Sequence, residues 1–251
     1  MRYGICVSNF GSYSDARAVA ELAATAEEAG WEGLFVWDHL AFVWGKPSAD
    51  PWVVLTACAL ATSRILLGTA VTPVPRRRIQ NLAHTVTTLD RLSGGRVVFG
   101  AGLGGNRSEF ERFGEDFSRS RRLELLDEGL GALRGWWDGE EVAGVTLSPL
   151  PVDHVPIWIG GNSGDLLTLA ARFDGWIANS AGPEGVRLSP EEIAAATARV
   201  SGEVVVLNGA SGRASPAEYD AAGATWWLES LHDWRGRPEE MLAVVQAGPP
   251  A

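Results

Sequence analysis

The sequence predicts an α/β fold, a (β/α)8 TIM barrel with eight parallel strands inside a ring of helices, and three observations carry that expectation. Short apolar runs alternate with longer helical patterns along the whole chain, the rhythm of a parallel sheet with helical crossovers. Eight such pairs can be counted, and 251 residues of 46% hydrophobic content are enough for one large core of that size. Several runs lack polar alternation, as strands covered on both faces require. An open, doubly wound sheet shares the alternation, but eight units favour closure. One domain over residues 1–251 is expected.

The strands are expected at Tyr3–Ser8, Gly33–Trp37, Ile65–Val71, Arg96–Ala101, Pro156–Gly160, Gly175–Asn179, Glu203–Leu207 and Ala224–Leu228. Each leads into a helical pattern. Asp50-Pro51 opens the second helix with a cap and a proline. The third carries Ile79, Leu82, Ala83, Val86, Leu89 and Leu92, and the fourth Leu123, Leu126, Leu130 and Leu133, both spaced to bury one face. Ser189-Pro190-Glu191-Glu192 and Ser215-Pro216-Ala217-Glu218 put a hydroxyl at N-cap, proline at N1 and glutamate at N3.

The formal charge of -10, from 31 acidic against 21 basic residues, repels phosphate backbones and anionic lipid. Nucleic acid and membrane are therefore excluded as partners, and a small-molecule substrate is expected. Cys6 and Cys58 fit no metal or disulfide spacing. No apolar run reaches membrane-spanning length, and the first residues enter a strand pattern without a signal-peptide core. A cytoplasmic protein is expected.

In a barrel the working groups gather beyond the carboxyl ends of the strands. Those positions are polar or glycine-rich here: Ser8-Asn9, Asp38-His39, Thr72-Pro73, Gly102 to Asn106, Gly160 to Ser163, Asn179-Ser180, Asn208-Gly209 and Glu229-Ser230. Gly100 to Gly105 satisfies G-x-G-x-x-G, but the dinucleotide fingerprint belongs to a first βαβ unit and this segment lies mid-chain. The alternatives are a loop needing positive φ and bare backbone approached by a flat cofactor. Gly160-Gly161-Asn162-Ser163 joins a strand to a helix, either as a plain turn or as a phosphate seat of backbone N–H groups.

His39, next to Asp38, is placed to move a proton near neutrality, against the alternative of a merely hydrogen-bonded imidazole. His84, His154 and His232 fall on helix or loop segments, so no metal constellation converges. Arg76-Arg77-Arg78 precedes a helix, where the dipole is already positive. Either an anion compensates these cations or they are solvated at the surface. Trp44 and Trp52 are placed to wall a planar ligand. Trp226 and Trp227 must face opposite sides of the last strand, and Trp136-Trp137 reads as packing.

A long series of blocks resembles the luciferase-like monooxygenase superfamily, in particular its deazaflavin- and FMN-dependent oxidoreductase branch. The blocks run from Glu28 to His39, Asp50 to Trp52, Arg64 to Pro73, Leu89 to Arg96, Gly100 to Gly104, Glu109-Phe110, Pro156 to Gly161 and Ala224 to Glu229. The resemblance implies a barrel oxidoreductase that passes hydride between coenzyme F-420 or FMN and a small organic substrate. It implies a phosphate near Gly161, Asn162 and Ser163, with Gly102, Leu103, Gly104, Gly105 and Asn106 alongside and Gly160 also in the cofactor-binding set. It also implies a non-proline cis peptide at Ala70–Val71 behind the ring. Asp38 and Thr72 complete the cofactor set, and Asn9, Trp44 and Glu109 are expected toward the substrate. His39 matches a proton-donor position of some deazaflavin enzymes. Gly105 departs from the pattern, standing where a sugar-phosphate-oxidising relative has a catalytic glutamate, which argues against a sugar-phosphate substrate. Relatives are commonly dimers, so a homodimer is expected. The alternatives are a catalytically silent flavin-binding barrel and a hydrolase in the same fold.

Overall fold

The computed structural model describes residues 1–178, 185–208 and 214–250. Its strands are β1 (Arg2–Val7), β2 (Gly33–Val36), β3 (Leu66–Thr69), β4 (Thr72–Pro73), β5 (Val97–Gly102), β6 (Ile157–Gly160), β7 (Gly175–Ala178), β8 (Glu203–Asn208) and β9 (Trp226–Leu231). All neighbours are parallel, in the order β3-β2-β1-β9-β8-β7-β6-β5-β4, and the pairing of β3 with β5 closes the ring. β3 and β4 are two halves of one barrel strand, so the ring has eight staves, as the alternation predicts.

Two expected strands differ. The third is split by a cis peptide bond between Ala70 and Val71. The last is displaced toward the C-terminus, because β1 pairs with β9 as far as Val7 and Leu231. Glu229 and Ser230 therefore lie inside the strand, and its tip begins at His232. The expected tip Asn179-Ser180 and Gly209 lie outside the described residues.

Inward-facing side chains explain how the ring closes. Phe35, Trp158 and Trp226 meet in the lumen at ring distances of 5.3, 5.7 and 5.9 Å. Three bulky rings fit because neighbouring inward positions are glycine: a Cβ on Gly33 would come within 2.8 Å of Phe35, and one on Gly175 within 2.7 Å of Trp158. At Gly100 the limit is backbone, since a Cβ would lie 1.8 Å from the Thr69 carbonyl oxygen. Trp226 fills the lumen while Trp227 joins the outer core under the helices, as strand alternation demands.

The helices are α1 (Ala16–Glu28), α2 (Pro51–Ala61), α3 (Ile79–Ser93), α4 (Ser108–Glu111), α5 (Arg119–Trp137), α6 (Gly164–Ala170), α7 (Pro190–Thr197), α8 (Pro216–Ala221) and α9 (Pro238–Gln246). Ser189 and Ser215 form complete capping boxes, and Asp50 caps α2 through the N–H groups of Trp52 and Val53. Leu82, Ala83, Val86 and Leu89 are buried on α3, but Leu92 is exposed; Asp90 is buried instead, accepting from the Val152 N–H at 2.8 Å. Arg96 threads below the barrel and donates to the carbonyls of Ala59, Thr62, Ile65 and Ser93, tying the end of α2 to the starts of β3 and β5. Trp52 is buried and stacks on Phe99 at 6.0 Å, so it packs rather than walling a ligand. Burial pushes the Cys6 and Cys58 thiols up to about 12, so both are neutral free thiols near pH 7.

Gly100→Ala forces the Thr69 carbonyl to move and is expected to cost about 2–3 kcal/mol in urea unfolding. Gly131→Ala, on α5 with nothing near its missing Cβ, is expected to gain about 0.5–1 kcal/mol. Equal urea midpoints for the two variants would contradict the packing account.

Candidate active site

A cavity of about 390 Å³ opens at the carboxyl ends of the strands. One wall is nearly free of side chains: Leu103, Gly104, Gly105 and Asn106 follow β5, and Gly160 and Gly161 end β6. Ala70, Val71 and Pro73 border it from the broken third stave. Val71 is wedged there, since a Cβ on Gly102 or Gly160 would meet its methyls at 2.5 and 2.7 Å. Gly104 has φ of +79°, which only glycine adopts without strain.

The opposite wall is aromatic. Phe10 sits at its centre, with ring distances of 5.6 Å to Trp44, 5.7 Å to His39, 5.9 Å to Trp234 and 6.0 Å to Trp37. Trp44 is oriented by its Nε1, which donates to the Ser108 hydroxyl at 2.9 Å; that hydroxyl donates to Asn106 at 2.7 Å.

Between the walls runs a chain of charges. His39 Nδ1 lies 2.8 Å from Glu109 Oε1. An ionised carboxylate only accepts, so Nδ1 carries the proton and Nε2 is the exchangeable ring position. The other Glu109 oxygen pairs with Arg76, whose guanidinium also donates to the Asp38 carboxylate at 2.9 Å. Arg77 grips the same carboxylate at 2.6 and 2.7 Å. Two cations thus balance two anions, with the Arg76 side chain only 4% exposed and that of Glu109 1%.

This corrects one reading of the arginine triplet. The turn Val74–Arg76 carries Arg76 back over the mouth, so Arg76 and Arg77 are compensated by carboxylates; Arg78 alone is exposed. Asn9 is fully buried: its amide donates to the carbonyls of His39 at 2.9 Å and Ala49 at 2.8 Å, and its oxygen accepts the His39 N–H at 3.0 Å. It fixes the histidine backbone from below the cavity instead of lining it.

At the far end of the glycine wall, the Gly161 N–H is paired with the Ile177 carbonyl at 3.2 Å. Arg119 donates to the Ser163 hydroxyl at 2.7 Å and to Asp165 at 2.5 and 2.8 Å. That guanidinium, helped by the Ser163 hydroxyl, holds the Asp165 carboxyl well below the usual carboxylate range.

Most sequence-selected residues converge. Asp38, His39, Trp44, Ala70, Val71, Leu103, Gly104, Gly105, Asn106, Glu109, Gly160 and Gly161 all line the cavity. Thr72 does not; its buried hydroxyl donates to that of Thr69 at 3.2 Å. Gly102 lies behind Val71, and Asn162 and Ser163 lie beyond the wall. Phe10, Trp37, Trp234, Leu166 and Leu207 line the cavity without having been singled out. Trp37 was within reach of reasoning, being two residues beyond the inward Phe35 on one strand.

A closed parallel barrel whose glycine-rich wall faces a His–Glu–Arg chain across one mouth has the layout of a barrel-enzyme active site. The chain belongs to the luciferase-like monooxygenase family, whose model matches residues 1–243. It is 27% identical over 241 residues to a 5,10-methylenetetrahydromethanopterin reductase of Methanolobus tindarius, covering 92% of this chain and 68% of that one. It is 33% identical over 178 residues to an F-420-dependent glucose-6-phosphate dehydrogenase of Nakamurella multipartita, covering 64% of this chain. The match spans about half of that relative's length, 52%. Among solved structures, an F-420-dependent secondary alcohol dehydrogenase shares the fold with a TM-score of 0.73 at 16% identity, 99% of each chain being covered. No helix among the described residues is long and apolar enough to cross a membrane.

Arg76→Met leaves two buried carboxylates short of a cation and is expected to cost about 3 kcal/mol or more. Arg78→Met, at the surface, is expected to stay within about 0.5 kcal/mol of the parent. Thermal and urea midpoints of both variants check the network.

Proposed function

We propose that this chain is a deazaflavin- or FMN-dependent oxidoreductase acting on a small organic substrate, with residues 1–251 forming one luciferase-like barrel domain. The observation that carries the proposal is the two-sided mouth: bare backbone at Gly104, Gly105, Gly160 and Gly161 faces His39 and its aromatic surround across one cavity. A flat ring system fits against the part of this wall that is four glycines, with Leu103, Asn106 and Leu166 at its borders. When bound, such a cofactor supplies or accepts the hydride. Two relatives named for such activities, an F-420-dependent dehydrogenase and a reductase, support the same class.

The protein's own groups handle the proton and the positioning. His39 gives up or takes a proton at Nε2, with Nδ1–H anchored on Glu109 and the backbone held by Asn9. Arg76 fixes Glu109 and Asp38 in register, so the imidazole keeps one orientation. Phe10, Trp37, Trp44 and Trp234 exclude water from the substrate side and favour an apolar or aromatic body. Arg119, which holds Asp165 and the Ser163 hydroxyl beyond Gly161, is the cation that would meet an anionic tail of the cofactor there. Glu109 brings to the cavity a carboxylate that Gly105 lacks.

The acting unit in this proposal is a cytoplasmic homodimer joined through α2. That helix is apolar on nearly every face. Its outward stripe includes Val53, 63% exposed, and Leu60, 73% exposed, two turns apart.

Fluorescence titration with FMN and with F-420 is expected to show saturable binding of one of them. His39→Gln is expected to retain that affinity while turnover falls about 100-fold or more. Absence of binding by either cofactor contradicts the proposal, and binding without hydride chemistry across a broad substrate panel favours the silent barrel. Leu60→Asp is expected to convert a dimer to a folded monomer in sedimentation; a monomeric parent contradicts the assembly.

A further inference from the structure

The chain holds a single lysine, Lys46, against twenty arginines. Its ammonium is not part of the cavity's lining but lies 5.0 Å from the Trp234 ring centre and 5.6 Å from that of Phe10, two rings that are part of it. The four charged groups deeper in the mouth neutralise one another, Arg76 and Arg77 against Asp38 and Glu109. Among the described residues Lys46 makes no ion pair; aromatic faces are what its ammonium meets. Asp233, the nearby carboxylate of the β9 tip, is engaged by the Ser12 N–H at 3.2 and 3.3 Å.

The segment that carries Lys46 is fixed on both sides. Gly45 takes the left-handed conformation at φ +74°, and the Lys46 N–H donates to the Ala41 carbonyl at 3.2 Å. The Gly11 N–H donates to the Pro47 carbonyl at 2.9 Å, Phe10 bridges to Ser48, and the Ala49 N–H donates to the Asn9 carbonyl at 2.8 Å. A cation on a pinned loop, beside rings that hold it electrostatically and with no ion pair among the described residues, is set up to meet an anion from outside. The overall charge of -10 gives the surface a net repulsion for anions, which a local cation such as Lys46 offsets at short range.

We infer that Lys46 is an anion-recognition residue beside the substrate pocket, and that the substrate is an organic carboxylate: an apolar or aromatic body against Phe10, Trp44 and Trp234, with one carboxylate reaching the Lys46 ammonium. The inference rests on the two-sided reading of the mouth given above. A monoanion matches the single cation. A phosphate monoester, carrying about -1.5 to -2 near neutrality, would leave charge uncompensated.

The test uses the full chain loaded with whichever of FMN or F-420 binds, and as probes 2-naphthoate, its neutral amide and 2-naphthyl phosphate, followed by tryptophan fluorescence. The carboxylate is expected to bind about ten times more tightly than the amide, with the preference lost in Lys46→Met and kept in Lys46→Arg. Acetylation of Lys46, the only side-chain amine, is expected to slow in the presence of naphthoate and not of the amide, as read by mass spectrometry. Equal affinity of carboxylate and amide, a preference that survives Lys46→Met, or tighter binding of the naphthyl phosphate overturns the inference. The cofactor titration is run on the same variants. If neither cofactor binds the parent while the Lys46-dependent preference persists on the unloaded chain, the oxidoreductase reading fails and the carboxylate site stands; cofactor binding without the preference sinks the carboxylate site alone.

Discussion

Everything in this barrel is arranged around the room taken by three rings. Phe35, Trp158 and Trp226 meet inside the ring of strands, and an eight-stranded lumen is only wide enough for side chains to fill. Three such groups at one level leave no room for a Cβ on neighbouring inward positions, which is why Gly33 and Gly175 stand there, while at Gly68 the Val98 carbonyl sets the tighter limit. Above that plug the inward positions stay small, at Ala70 and Gly160, and the large side chains move to one side of the mouth. The cavity is the part of the lumen that the aromatic plug leaves open.

Electrostatics give the mouth its rigidity. Arg76 joins the tip of β2, through Asp38, to the segment after β5, through Glu109. Burying these charges is tolerable because each is paired and hydrogen-bonded; an unpaired member would carry a desolvation cost of several kcal/mol. Asn9 applies the same rule to backbone, satisfying the amide of His39 and two carbonyls with one side chain. The histidine is therefore held at its ring and at its main chain by separate partners, and neither constraint depends on a ligand being present.

Most of the fold was legible in the sequence, because a barrel stave is a short apolar run with a glycine or polar residue at its exit and those signals are local. The caps at Asp50, Ser189 and Ser215 were equally local. What could not be read depends on contacts between distant segments. The last strand runs three residues further than its composition suggests, since pairing with β1 and not propensity sets its end. Leu92 continues the helical spacing but lies outside the core, where the loop at Val152 reaches back to Asp90. Arg76 and Arg77 read as surface cations because their carboxylate partners lie about 30–40 positions away. For the site, the glycine wall and His39 were visible as strand-exit residues, whereas Phe10 and Trp234 gain meaning only once the tips of β1 and β9 are known to be neighbours.

The aromatic plug also fixes the traffic through this protein. A lumen sealed below by Phe35, Trp158 and Trp226 is a blind well with one doorway. Two molecules that share such a well use the same opening, so each must clear the doorway before the other can move through it. Traffic is thereby shaped by the barrel itself, alongside any difference in affinity.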